Sequence, residues 1–162
     1  ARFRAADRFY ALLVQVAGRA GRGQQAGEVL IQTDFPGHPL FAAVARHDFD
    51  AFADVALEER RIAGFPPYAY LAVLRAEAKS PGEALRFLES AVRLAPGSKG
   101  VLVFDPVAAP MERKAGFERA QLLVRAEDRA ALQPFLGQWR RTLETEAGRR
   151  VRWTLDVDPQ EA

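Results

Sequence analysis

Apolar and polar positions along the chain fall into three patterns. Phe9, Leu12, Leu13, Val16, Ala17 and Ala20 recur at i, i+3, i+4, i+7, i+8 and i+11. That stripe predicts an amphipathic helix, ended by Gly21 and Gly23. Residues 28–33 are a short β-rich run bounded by Pro36 and Gly37, which predicts a strand. Pro39 suits the first turn of a helix through Leu40, Phe41 and Val44. His38, just before it, is placed to cap that helix. Asp48 can cap a second helix, with Phe49, Phe52, Ala53 and Ala56 along one side. Gly64 and Pro66-Pro67 end it, and His47 beside Asp48 reads as a helix junction.

The remainder alternates between strand and helix periods. Residues 69–78 predict a strand. Ser80-Pro81-Gly82-Glu83 predicts a capping box, with a helix through Ala84, Leu85, Leu88 and Val92 stopped by Pro96-Gly97. Residues 101–104 and 119–125 predict two more strands, joined by a long connection over residues 105–119. A helix follows through Leu132, Phe135, Leu136, Trp139 and Leu143, with Pro134 predicting a kink or a late start. Residues 150–157 alternate strictly, as a half-buried strand does. Trp139 and Trp153 fall on apolar faces and read as core. The order βαββαβ predicts a ferredoxin-like antiparallel sheet with both helices on one face.

Composition sets outer bounds on function. The chain has 162 residues, 49% hydrophobic and 27% charged, the balance of an ordinary globular domain able to bury its own core. It has no cysteine, which excludes disulfides, thiolate metal sites and cysteine nucleophiles. His38 and His47 are too few for a histidine metal site. Asp156 and Asp158, at i and i+2, offer only two carboxylates, so no metal site is expected. No apolar run is long enough to span a membrane, so no membrane partner is expected. The single methionine is Met111 and the chain opens on Ala1, which predicts a piece of a longer protein. The net charge of +2 does not by itself point to nucleic acid. The basic residues are almost all arginine, with only Lys79, Lys99 and Lys114 as lysine. Arginine suits forked contacts to phosphate or carboxylate, although an Arg- and Ala-rich source also accounts for the bias.

The most informative run is Gln15-Val16-Ala17-Gly18-Arg19-Ala20-Gly21-Arg22-Gly23. On a helix Gln15, Arg19 and Arg22 share one face. Gly18 and Gly21 leave room for a ligand or another backbone to approach. Two guanidinium groups and an amide suit a polyphosphate. Taken alone, the same spacing also describes a solvated basic helix end.

The pattern Gln-x-x-Gly-Arg-x-x-Arg resembles motif VI of superfamily 2 helicases. Several further runs narrow the resemblance to the primosomal protein N′ family, called PriA. They are Gly27-Glu28-Val29-Leu30-Ile31-Gln32-Thr33, Glu58-Glu59-Arg60-Arg61 and Phe65-Pro66-Pro67-Tyr68. Two others are Asp105-Pro106-Val107-Ala108-Ala109-Pro110 and Leu155-Asp156-Val157-Asp158-Pro159. The resemblance implies three parts: residues 1–34 as the end of a second RecA-like helicase lobe, 35–66 as a helical connector, and 67–162 as the ferredoxin-like C-terminal domain. The fold class would be mixed α/β and α+β. It implies that Gln15, Gly18, Arg19 and Arg22 face the phosphates of ATP with its Mg, with Arg19 and Arg22 as arginine fingers. The parent would be an ATP-dependent 3′-to-5′ DNA helicase that restarts replication in the bacterial cytoplasm, at the nucleoid. Its partners would be branched DNA, the single-stranded-DNA-binding protein SSB and primosome proteins. Zinc would be held upstream by cysteines. No Gly-x-x-x-x-Gly-Lys-Ser/Thr phosphate loop is present, so this chain alone is expected neither to hydrolyse ATP nor to hold a cofactor.

Two basic stretches are candidates for DNA contact. Arg113, Lys114 and Arg119 lie with Gly116 and Phe117 in the connection over residues 105–119. Met111 and Phe117 could equally pack beneath that loop. Arg150 and Arg152 share one face of the last strand, near Arg149, Arg140 and Arg141. Pairing with Asp156 and Glu144 would instead make them structural. A different role is also open: a protein-interaction module whose Arg129, Arg140 and Arg141 receive an acidic tail.

Overall fold

The computed structural model of the chain describes residues 5–18, 28–114, 116–146 and 151–159. They form two units, the first running to Gly64 and the second starting at Phe65.

In the first unit, helix α1 spans Ala5–Ala17. Its buried face is rotated from the aliphatic stripe. Tyr10 is buried with Ala6, Leu13 and Val14 around it, while Phe9, Leu12 and Val16 are exposed. The ring of Tyr10 stacks on Phe52, with centroids 4.0 Å apart, and that contact sets which side of α1 turns inward. Arg19 to Gly27 lie outside the described residues, so the expected continuation to Ala20 does too. Residues 28–33 do not form the expected strand. Leu30 is 86% exposed. A β-rich run becomes a strand only when a neighbour takes up its backbone groups, and no described residue does so.

Helices α2 (Pro39–Arg46) and α3 (Phe49–Ala63) follow the local signals. His38 Nδ1 accepts the Leu40 N–H at 3.2 Å, and Asp48 Oδ1 accepts the Ala51 N–H at 2.9 Å. Gly64 closes α3 at φ 62, a conformation that costs glycine least. Leu40, Ala43 and Val44 of α2 join Phe52 and Ala56 of α3 and Tyr10 of α1 in one core. An ion pair from Arg60 to Asp7 ties α3 to α1, and a hydrogen bond from the His38 Nε2–H to Glu59 Oε1 at 3.1 Å ties the start of α2 to α3.

The second unit contains strand β1 (Tyr70–Ala78), helix α4 (Glu83–Arg93) and strands β2 (Val101–Val103), β3 (Val107–Lys114) and β4 (Phe117–Ala126). Helix α5 (Arg129–Glu146) and strand β5 (Val151–Val157) complete it. The five strands make one antiparallel sheet in the order β2-β4-β1-β5, with β3 also on β4.

Residues 105–119 are not a loop, because β3 occupies most of the connection and forms a hairpin with β4. Gly116, at φ 79, supplies the turn. Pro106, Pro110 and the charges hide the strand, and the register shifts between Ala108 and Arg113, where Pro110 lies.

The core lies between one sheet face and the two helices of this unit. Ala72, Leu74, Ala76 and Ala78 of β1 pack with Leu122 and Val124 of β4 against Leu88, Leu132 and Trp139. Alanines on β1 let the helices approach closely. The Trp139 indole N–H donates to the Ala91 carbonyl at 2.9 Å, joining α5 to α4.

The capping box is replaced by a different arrangement. Gly82 is the N-cap at φ 72, with no side-chain cap, and its N–H donates to Glu118 Oε2 of β4 at 2.7 Å. Helix α5 starts without delay at Arg129, where Asp128 Oδ1 accepts the Ala131 N–H. Pro134 sits inside it, on an exposed side where water can serve the Ala130 carbonyl it leaves undonated.

Candidate nucleic-acid interface

Side chains alternate along a strand, so the positions between the core residues point away from α4 and α5. On β1 these include Arg75 and Glu77; on β4, Phe117, Arg119, Gln121 and Arg125; on β5, Arg152, Thr154 and Asp156. The register aligns them in rows. Glu77 is opposite Arg119 on one side and Arg152 on the other. In the next row Arg75 lies between Gln121 and Thr154.

Charges on this face partly neutralise one another. Arg75 Nη1 is 3.0 Å from Asp156 Oδ2, and Arg152 Nη1 is 3.8 Å from Glu77 Oε1. The Arg152 guanidinium also stands 5.0 Å from the centroid of the Phe117 ring, with Lys79 Nζ at 5.7 Å. Arg125 is 6.0 Å from the Phe104 centroid. Between the strands an open cleft of about 160 Å³ is lined by Arg75, Glu77, Arg119, Arg152 and Thr154. Planar guanidinium groups around such a depression can grip an oxyanion from two sides.

Arg119 and Arg152, far apart in sequence, are brought into one row. Of the pairings expected for the arginine group, Glu144 does meet Arg140, at 2.9 Å on α5, while Arg152 lies nearest Glu77 rather than Asp156, which engages Arg75. Arg113 and Lys114 fall on β3 at the end of the hairpin, in register with Glu118 and Phe117, rather than in a loop. Arg150, like Arg149, lies outside the described residues, as do Arg19 and Arg22. Gln15 is exposed in the last turn of α1, and Gly18 follows that helix. Arg129, Arg140 and Arg141 are exposed on α5. Trp139 is core as expected, while Trp153 is half-buried and stacks on Phe87 at 6.4 Å.

Sequence reading missed Arg75, Arg125 and Glu77. Their signal was present in the alternation of Leu74 to Ala78 on β1 and along β4, but which positions stay accessible depends on packing, since Leu71 and Val73 on the same face of β1 are buried. Among the described residues no cluster of three or more His, Asp or Glu could hold a metal ion. No helix among them is long and apolar enough to cross a membrane.

The fold is thus a mixed α/β domain that sets an arginine-bearing sheet face opposite its helices. Residues 61–160 match the primosomal protein N C-terminal domain. The chain is 37% identical over 161 residues to the replication restart protein PriA of Haemophilus influenzae, covering 98% of this chain and 22% of that protein. The PriA of Treponema pallidum is 34% identical over 97% of this chain and 24% of its own length. For Bacillus subtilis PriA the identity is 29%, over 97% and 20%. The chain therefore spans between a fifth and a quarter of the length of these relatives. It belongs to the primosomal protein N C-terminal domain family and corresponds to the C-terminal part of PriA.

Proposed function

We propose that this chain is the DNA-contacting C-terminal part of a PriA-like replication restart helicase, and that its arginine-bearing sheet face grips the backbone of branched DNA. The observation behind the reading is the row Arg119–Glu77–Arg152 with Arg75 beside it. Forked guanidinium donors at these positions match phosphate geometry, and contacts of this kind position a duplex or strand without reading its sequence. The relatives' name, replication restart protein, supplies the setting of restart, and the family's description, primosomal protein N C-terminal domain, that of the primosome. In this reading the second unit is a ferredoxin-like βαββαβ domain, with β2 and β3 as one interrupted strand.

The whole protein would be an ATP-dependent 3′-to-5′ DNA helicase in the bacterial cytoplasm, working with SSB and primosome proteins and holding zinc in another part. The run from Gln15 to Arg22 would close its ATP site from a RecA-like lobe. Gln15 and Gly18, at the end of α1, fit an approach to phosphate only together with Arg19 and Arg22, since a helix C-terminus by itself repels anions. ATP with Mg would supply the transferable phosphoryl group. Arg19 and Arg22 would neutralise charge on it. Alanine at both positions should abolish most ATP turnover by the full-length protein, and undiminished turnover would refute that role.

For the sheet face, the test is the salt dependence of forked-DNA binding by this chain. Arg119→Gln and Arg152→Gln should each weaken binding and lower the slope of log affinity against log salt by about 1. A flat salt response would count against DNA contact. Charge reversal at Arg113 and Lys114, with Arg150→Gln alongside, tests the hairpin and the start of β5. If fork binding survives these changes and those at Arg119 and Arg152 alike, and an acidic tail peptide binds through Arg129, Arg140 and Arg141, the chain is a protein-docking module instead.

A further inference from the structure

The carboxylate at the centre of the arginine row needs an explanation, because a surface built only to attract phosphate would not place an acid there. Glu77 lies directly opposite both Arg119 and Arg152 in register. Directly opposite side chains have Cβ atoms about 4.5–5.5 Å apart, so one carboxylate reaches either neighbour. Its contact with Arg152 is long, 3.8 Å, and its side chain is 38% exposed. Such a pair is cheap to break in water. Nearby, Arg75 holds Asp156 at 3.0 Å, a tighter pairing. Arg119 has no ion-pair partner among the described residues within 4.0 Å, yet it lines the same cleft. Neighbouring strands are about 4.8 Å apart, so two strands separate Arg119 from Arg152 by about 10 Å at the backbone. Two arginine side chains rooted at that spacing can converge on one tetrahedral anion lying over β1.

We infer that Glu77 is a displaceable counter-charge, standing in for a nucleic-acid phosphate between Arg119 and Arg152 until the backbone takes its place. In the unbound protein the carboxylate relieves repulsion among Arg75, Arg119 and Arg152 and keeps the guanidinium groups turned toward the cleft. On binding, a phosphodiester oxygen replaces it and Glu77 swings to solvent. Affinity is held down by this exchange, so a single phosphate cannot trap the protein and several contacts are needed at once. The inference rests on the DNA-binding reading of the sheet face and assigns a residue that tunes it.

The experiment measures forked-DNA affinity of the 162-residue chain across a salt series, for Glu77→Gln, Arg119→Gln and the double variant. Glu89→Gln, an identical charge change at an exposed position of α4, is the control. Glutamine keeps the shape of Glu77, and thermal unfolding of each variant verifies its fold. Glu77→Gln should tighten binding about three- to tenfold at low salt and steepen the salt slope by about one contact. Glu89→Gln should change binding less than twofold. In the Arg119→Gln background the gain from Glu77→Gln should fall below twofold. Equal gains in both backgrounds, or equal gains from Glu77→Gln and Glu89→Gln, would reduce the effect to net charge and overturn the inference. No gain from Glu77→Gln, with Arg119→Gln still weakening binding, would overturn it too while leaving the DNA reading intact. If neither Arg119→Gln nor Arg152→Gln alters affinity, the DNA reading of this face fails first.

Discussion

Trp139 combines complete burial with a hydrogen bond at the far end of its ring, to the carbonyl of Ala91. Trp139→Phe keeps much of the apolar contact but leaves that carbonyl without its donor, and should cost about 1–3 kcal/mol in urea unfolding. Asp48→Ala removes one bond at the start of α3 and should cost about 1 kcal/mol by the same measurement. Both caps of the first unit were legible in the sequence, because His38 and Asp48 act on amides two and three residues ahead. The start of α4 was not, because the acceptor for Gly82 is Glu118, on a strand 36 residues away. The run Glu58-Glu59-Arg60-Arg61 shows the same limit. Its composition was plain, but its partners Asp7 and His38 follow from packing. Glu58 pairs locally with Arg61 at 2.7 Å, whose hydrogen bonds hold the Glu58 carboxyl below its ordinary value of 4.5. The support from that pair is present above that ordinary value and is lost as pH falls through the lowered one. Glu58→Gln should therefore remove a small acid-side dependence of α3 helicity, read by circular dichroism.

At the scale of elements, the hairpin of β3 and β4 depends on its turn. Gly116 has φ 79, and Gly116→Ala forces a side chain into left-handed backbone. That change should cost about 1–2 kcal/mol of the second unit's stability, measured by denaturant unfolding. Strand periodicity was readable in β5, where alternation runs unbroken, and in β1 and β4 despite the apolar runs Leu71–Leu74 and Leu122–Val124. It failed in β3, where proline and charge interrupt it, and in residues 28–33, where the pattern is right but no partner strand lies among the described residues. Helix α1 adds another lesson: spacing gave the period, and the aromatic stack of Tyr10 on Phe52 chose the phase. Because Leu12 is exposed, Leu12→Gln should leave the thermal unfolding of this chain within about 0.5 kcal/mol of the parent.

At the scale of the whole molecule, the arginine face is assembled from β1, β4 and β5, strands far apart in sequence. Arg119 and Arg152 could be proposed singly from local basic runs. Their meeting around Glu77, and the arrival of Arg75 beside them, follow from strand order and register alone. Chain division at Gly64 and Phe65 has a thermodynamic counterpart. Each unit has its own core, so Asp48→Ala should lower the unfolding transition of the first and leave that of the second in place. The chain's two tryptophans, Trp139 and Trp153, both belong to the second unit, and none lies in the first. Indole fluorescence excited near the red edge of absorption is therefore a private channel to one half of the molecule: the helical half can melt completely while that emission stays unchanged.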